Sequence, residues 1–174
     1  MAATSTPIRE YISKLMLLDK SLSGSHRWSS TGRTGQCRSK FPVSLEGEIT
    51  QLEFVIDTYP RERGQWFTFT LNYGSCIMRC DHDMQAAHRN SKVKHVEMPH
   101  GIEVGMLNRP HLHSWADNCV LGTANSLPDE LKFARPIPTQ VHGFENAFRW
   151  FCGLAKISFL ESQLPSYPTT DVLI

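Results

Sequence analysis

Apolar residues recur at helical spacing near the start of the chain, at Ile8, Tyr11, Ile12, Leu15, Met16 and Leu18, after an N-cap-like Thr4-Ser5-Thr6-Pro7. This pattern predicts a helix over about 7–20. Across 46–59 and 65–73 the period becomes that of strands, rich in Phe, Val, Ile, Thr and Tyr, with the polar turn 60–64 between them. A turn signal at Asn72-Tyr73-Gly74-Ser75 introduces a further strand over 76–81. Residues 84–90 are too short and polar a run for the core, and 93–98 with 102–106 read as a hairpin around Pro99-His100-Gly101. A strand at His111-Leu112-His113 follows, then a loop over 122–138, where Pro128, Pro136 and Pro138 forbid long regular elements. Phe144, Ala147, Phe148, Phe151, Leu154 and Ile157 restore the helical period over about 143–159. The expected fold is α+β: an antiparallel sheet of about five or six strands with an N-terminal and a C-terminal helix packed on one face. The expected division is an N-terminal helix and basic flexible linker over 1–40, an α+β core domain over 41–160 and a frayed tail over 161–174.

Composition changes this picture little. The chain has 174 residues, 40% hydrophobic and 20% charged, enough for one domain with its own core. A net charge of +1 gives no argument for nucleic acid; its distribution says a little more, for Arg27, Arg33, Arg38 and Lys40 stand without an acid over 21–40, beside Trp28, in a stretch that reads as a flexible basic loop or as a plain solvated linker. These five are the candidate nucleic-acid or partner contacts. No apolar run approaches the ~18 residues of a spanning helix, and no secretory apolar region opens the chain, so no membrane is expected and the location is expected to be cytoplasmic. Cys37, Cys76, Cys80, Cys119 and Cys152 show no C-x-x-C spacing and are expected as reduced thiols, several of them in the core.

The candidate chemistry lies over 77–118, which holds six of the eight histidines. On a strand, His111 and His113 project to one side and Leu112 to the other. Two imidazoles are then side by side, able to trade protons or bind a metal near neutral pH. The run Met78-Arg79-Cys80-Asp81-His82-Asp83 alternates in the same way, with Arg79, Asp81 and Asp83 on one face.

Taken in order, Phe41-Pro42, Glu46-Gly47-Glu48, 67–71, Arg79 and Asp81, His88-Arg89-Asn90, Gly101, His111-Leu112-His113, Leu127-Pro128 and the closing aromatic helix resemble a small prokaryotic and phage family. Its members pair an R-x-D strand and an H-x-N loop with an H-x-H strand. The motif set is similar to that of TumE-type toxins of toxin–antitoxin systems, which are thought to act on RNA. The resemblance spans about 41–157; the family's proline-aspartate-glycine turn after the asparagine is replaced here by Ser91-Lys92-Val93. It implies RNA as substrate and a cognate antitoxin as partner.

The residues themselves fit RNA cleavage without a metal cofactor, which needs a base for the 2′-hydroxyl, an acid for the leaving oxygen and a cation for the phosphate. His111, His113 and His88 can supply the first two, Arg79 and Arg109 the third, and Asp81 can orient an imidazole. A second reading makes His111 and His113 ligands of zinc or manganese in a hydrolase, with Asp81 or Asp83 as third ligand. A third keeps the histidines as a structural polar network. A fourth is a phage or defence-related inhibitor or adaptor that docks on a host protein or nucleoprotein complex through Trp28, Trp66 or Trp115 and nearby arginines. Trp150 reads as core.

Overall fold

Alternation along the strands builds a meander whose turns are set by a few residues. The computed structural model describes residues 6–33, 35–61, 64–83 and 87–168. In chain order, the regular elements are α1 (Ile8–Leu17), β1 (Lys20–Leu22), β2 (Ser29–Ser30), β3 (Cys37–Leu45), β4 (Glu48–Arg61), β5 (Gly64–Tyr73) and β6 (Ser75–His82). The second half adds β7 (Ala87–Asn90), β8 (Gly105–Asn108), β9 (His111–His113), α2 (Trp115–Asn118), β10 (Arg135–Pro136), α3 (Phe144–Leu154) and β11 (Ile157–Ser158). One sheet runs β10-β9-β6-β5-β4-β3-β1-β11 with β2 paired to β3, and β7 and β8 form a separate two-stranded ribbon. Its pairs are antiparallel except for β1 with β11. The β3–β4 turn has Glu46 at φ 51° and Gly47 at φ 85°, the double left-handed step whose twist suits a tight hairpin.

Phe54 of β4 and Phe69 of β5 are fully buried beneath α3, which presents Phe148 and Phe151 to them. Ile12 and Leu15 of α1 join the same buried cluster. Phe54 has four aromatic neighbours in Phe41, Phe69, Phe148 and Phe151. Truncating it to alanine is therefore expected to cost about 3–5 kcal/mol, read as a lowered denaturation midpoint at unchanged slope.

The α+β class and the central meander agree with the pattern reading. The main sheet has nine strands rather than five or six. The additions are the nine-residue β3 and β1, β2, β10 and β11, the last four of two or three residues each, held by backbone pairing and too short to show a side-chain period; β11 falls within the helix expected over 143–159, which ends at Leu154. A third helix, α2, stands in mid-chain, with Ser114 Oγ accepting from Asp117 N at its start. The expected linker over 21–40 contributes β1, β2 and the first half of β3 to the main sheet. The hairpin expected over 93–106 is displaced: β7 pairs with β8, and 91–104 is the connection between them. The reason is local, for His95 takes φ 64° and the run around it finds no strand partner.

The expected tail folds back. Buried Gln163 donates to the carbonyls of Leu22 and Gly24, and Tyr167 Oη lies 3.2 Å from the carbonyls of Tyr59 and Trp66. Parts of the expected N-cap (4–5), turn (62–63), polar run (84–86) and tail (169–174) lie outside the described residues. No helix among the described residues is long and apolar enough to cross a membrane.

Candidate active site

The site forms because three antiparallel strands put their polar positions in register. Asp81 of β6 pairs with Thr68 of β5 on one side and His111 of β9 on the other, and Arg79 pairs likewise with Thr70 and His113. Residues opposite one another in such a ladder share a face. The opposite face of β6 carries Met78 and Cys80 into the core. One row continues across β4 and β3 through Asp57 and Arg38. His88 reaches this face from the β7–β8 ribbon, its ring centroid 5.4 Å from that of His111 and 4.6 Å from that of His113.

Two asparagines hold the cover in place. Asn90 donates to the carbonyl of Ala134 and accepts from its N–H, both at 2.9 Å. Asn118 does the same with Phe133, both at 2.8 Å. Side-chain amides thus replace a strand partner for 133–134, a segment too proline-broken to pair along its length. The clamped segment places the Lys132 carbonyl 2.9 Å from His88 Nε2. The carbonyl can only accept, so His88 carries its proton on Nε2 and leaves Nδ1 free in the neutral ring. His111 Nδ1 donates to the Arg109 carbonyl at 2.9 Å, which leaves His111 Nε2 free in the same way.

Asp81 is the hub. Its Oδ2 lies 2.8 Å from Arg79 Nε, 3.4 Å from His111 Nε2 and 3.6 Å from His113 Nε2, and its Oδ1 accepts from Thr68 Oγ1 at 3.1 Å. Burial pushes the Asp81 carboxyl up, but hydrogen bonding from His111 and His113, which their Nε2 atoms give only when the rings are charged, and the charge of Arg79 outweigh it and hold the group well below the usual carboxylate range. Burial pulls His113 down from the usual imidazole value more than Asp81 raises it. The Arg79 guanidinium, a pure donor, reaches His113 Nε2 at 3.2 Å, a shorter contact than that nitrogen makes with Asp81, so neutral His113 accepts there. His113 Nδ1 is then buried without a hydrogen-bond partner.

His111 and His113 are both buried, whereas half-buried His88 and Arg79 line an open cleft of about 560 Å³ with Arg89, Ser91, Asp129, Glu130 and Lys132. Cys76 also lines it, but burial pushes its thiol up to about 11, so it is no nucleophile at neutral pH. One ring nitrogen each from His88, His111 and His113 lie within 4.8 Å of one another, a group that can hold a metal ion.

The expected set Arg79, Asp81, His88, His111 and His113 is thus brought together. Arg109 is not part of it in the expected way: its carbonyl orients His111, and the residue lines a separate cavity with Asn90, Gly101 and Pro136. In the metal group, His88 stands where the sequence reading put Asp81 or Asp83; Asp81 is engaged by Arg79 and Thr68, and Asp83 lies beyond the end of β6.

The five expected contact residues are not one basic loop. Arg38 makes a two-pronged ion pair with Asp57, and Lys40 pairs with Glu53, both on β3. Trp28 Nε1 donates to the Ser166 carbonyl and its ring packs near Phe144. Arg27 and Arg33 are exposed, with no ion pair among the described residues. Trp115 is buried, its Nε1 donating to Ser13 Oγ, so it is not a surface anchor. Asn118 and the 129–134 segment escape sequence reasoning; the signal was an asparagine opposite a stretch that needed backbone partners.

No protein-family model, curated protein or solved structure matches the chain.

Proposed function

We propose that the protein is a toxin-like endoribonuclease that cleaves phosphodiester bonds by acid–base catalysis in the His88 cleft. The observation that carries this is the meeting of three imidazoles, one carboxylate and one guanidinium at the wall of an open cleft. Such a set supplies proton carriers beside a fixed cation, which is what transfer within a phosphodiester requires. His88, the imidazole on the cleft wall, takes the proton of the 2′-hydroxyl as its oxygen bonds to phosphorus. The phosphorus–5′-oxygen bond breaks, and the leaving oxygen receives the proton that His88 took, relayed by solvent in the cleft, so that the ring ends as it began. Arg79 meets the charge gathering on the phosphate, and Asp81 holds Arg79, His111 and His113 in place. The reaction runs on proton carriers, and a bound zinc or manganese ion would compete for the same nitrogens.

The test uses a short single-stranded RNA in the presence of EDTA. Fragments ending in a 2′,3′-cyclic phosphate and a 5′-hydroxyl are expected, and the same oligonucleotide with a 2′-deoxy sugar at the cut should remain whole. Cleavage of the deoxy substrate, or none of either, would sink the reading.

A further inference from the structure

We infer that His88, His111 and His113 form a three-imidazole site for a zinc-class divalent metal, and that its occupation switches off the acid–base reaction. This regulatory clause rests on the ribonuclease reading; the metal site itself does not.

Three features of the geometry carry it. One ring nitrogen from each histidine lies within 4.8 Å of the others, two of them on strand β9 of the main sheet and the third on the ribbon folded over it. The second feature is the outer contact of two of the rings. His88 donates through Nε2 to the Lys132 carbonyl and His111 through Nδ1 to the Arg109 carbonyl, each at 2.9 Å. A ligating histidine almost always gives its other N–H to a carbonyl or carboxylate, because that bond fixes the tautomer and aims the lone pair. Here the carbonyls stand in that position, and the nitrogens they leave free are His88 Nδ1 and His111 Nε2.

Third, Asp81 lies 3.4 Å from His111 Nε2 and 3.6 Å from His113 Nε2 while held by Arg79 and Thr68. A carboxylate there balances the charge of a cation without being its ligand. Three neutral imidazoles suit zinc, cobalt or copper; manganese and magnesium favour oxygen donors.

Occupation would silence the enzyme for two reasons visible in the contacts. The ion takes the lone pair of His88 Nδ1, which is the base of the proposed reaction. It also takes His113 Nε2, which now accepts from Arg79 Nη2 at 3.2 Å, so the guanidinium loses one of its two anchors beside the cleft. The fourth position of a three-histidine site is left to solvent from the cleft.

The experiment titrates the metal-stripped chain with cobalt(II) and zinc(II), reading cobalt by its visible ligand-field bands and zinc by calorimetry. One ion per chain is expected, with intense tetrahedral cobalt bands that zinc abolishes and magnesium leaves unchanged. His88→Ala should lose the bands. Asp81→Asn should keep them with affinity lowered by about 10–100-fold, as removal of an outer-shell partner does. Binding that survives His88→Ala unaltered, or octahedral cobalt spectra, would overturn the site.

RNA cleavage is followed in parallel. Inhibition by stoichiometric zinc and recovery with EDTA supports the switch. Zinc bound with cleavage unchanged overturns the switch and keeps the site. Zinc that is required for cleavage overturns both the switch and the acid–base reading, again keeping the site. Tight zinc binding with no RNA cleaved under any condition refutes the ribonuclease and not the metal site.

Discussion

Replacing His88 with alanine is expected to lower RNA cleavage by about 10²–10⁴-fold, the usual share of one positioned proton carrier. The fold should hardly notice. His88 is half-buried, and its loss removes one ring hydrogen bond, to the Lys132 carbonyl, worth about 1 kcal/mol. In a chain of this size that shifts the melting temperature by roughly 2–4 °C. His111→Ala and His113→Ala should behave differently, because both rings are buried at 2% and 0% exposure and lie against Asp81. They are expected to lose activity and stability together. The contrast is the informative result: activity lost at nearly constant melting temperature for His88, and partial recovery of that variant by added imidazole. If His88→Ala cleaves as well as the unaltered chain, the proton carrier lies elsewhere. If it unfolds as readily as His113→Ala, the ring is part of the scaffold.

Much of this site was legible as strand alternation. The period of two along Arg79-Cys80-Asp81 and His111-Leu112-His113 fixes which side chains share a face, and the antiparallel register then sets Asp81 opposite His111 and Arg79 opposite His113. Long elements with a clear period, such as β4, β5 and α3, were equally readable. What failed did so where backbone partners decide the structure. The β7–β8 ribbon joins segments separated by the connection 91–104, and nothing in four-residue runs announces that pairing over the nearer hairpin around Pro99. Arg109 was assigned by charge, yet the group that matters is its carbonyl, an atom every residue has. Arg38 and Lys40 stood in an acid-free stretch of sequence but meet Asp57 and Glu53 across a strand pair. Linear charge patterns do not see such partners. The same limit hid Asn118 and the role of Asn90, which entered only through the H-x-N motif; their amides stand in for a strand and so bring the Lys132 carbonyl to His88.

Asp81→Asn is expected to have the largest effect on the pH dependence of stability. The amide keeps the volume and can still accept from Thr68, so the change removes charge rather than packing. Breaking a fully buried ion pair by losing one partner costs about 3–5 kcal/mol. The Arg79 side chain is 40% exposed, so water takes up part of its charge and a loss near the low end, about 3 kcal/mol at neutral pH, is expected. The sign with pH follows from the direction of each shift. Burial raises the Asp81 carboxyl, but the contacts from His111, His113 and Arg79 lower it further, so the folded state binds its proton less readily than the unfolded chain does. Its stabilisation is therefore whole above the ordinary carboxyl value of about 3.9 and drains away as the pH falls below it. His113, lowered chiefly by burial, acts earlier: the folded state resists its protonation, so stability begins to fall as the pH drops below the ordinary imidazole value of about 6.5. Denaturant unfolding of both proteins at about pH 7, 5 and 3 separates the two groups. The gap between the unaltered chain and Asp81→Asn should not shrink between about pH 7 and 5, because Asp81 also eases the protonation of His113, and should narrow between the two lower values, as the carboxyl of the unaltered chain begins to protonate in the unfolded state. A gap that is constant across the range would mean that Asp81 contributes shape and not charge, and the hub drawn around its Oδ2 would have to be abandoned.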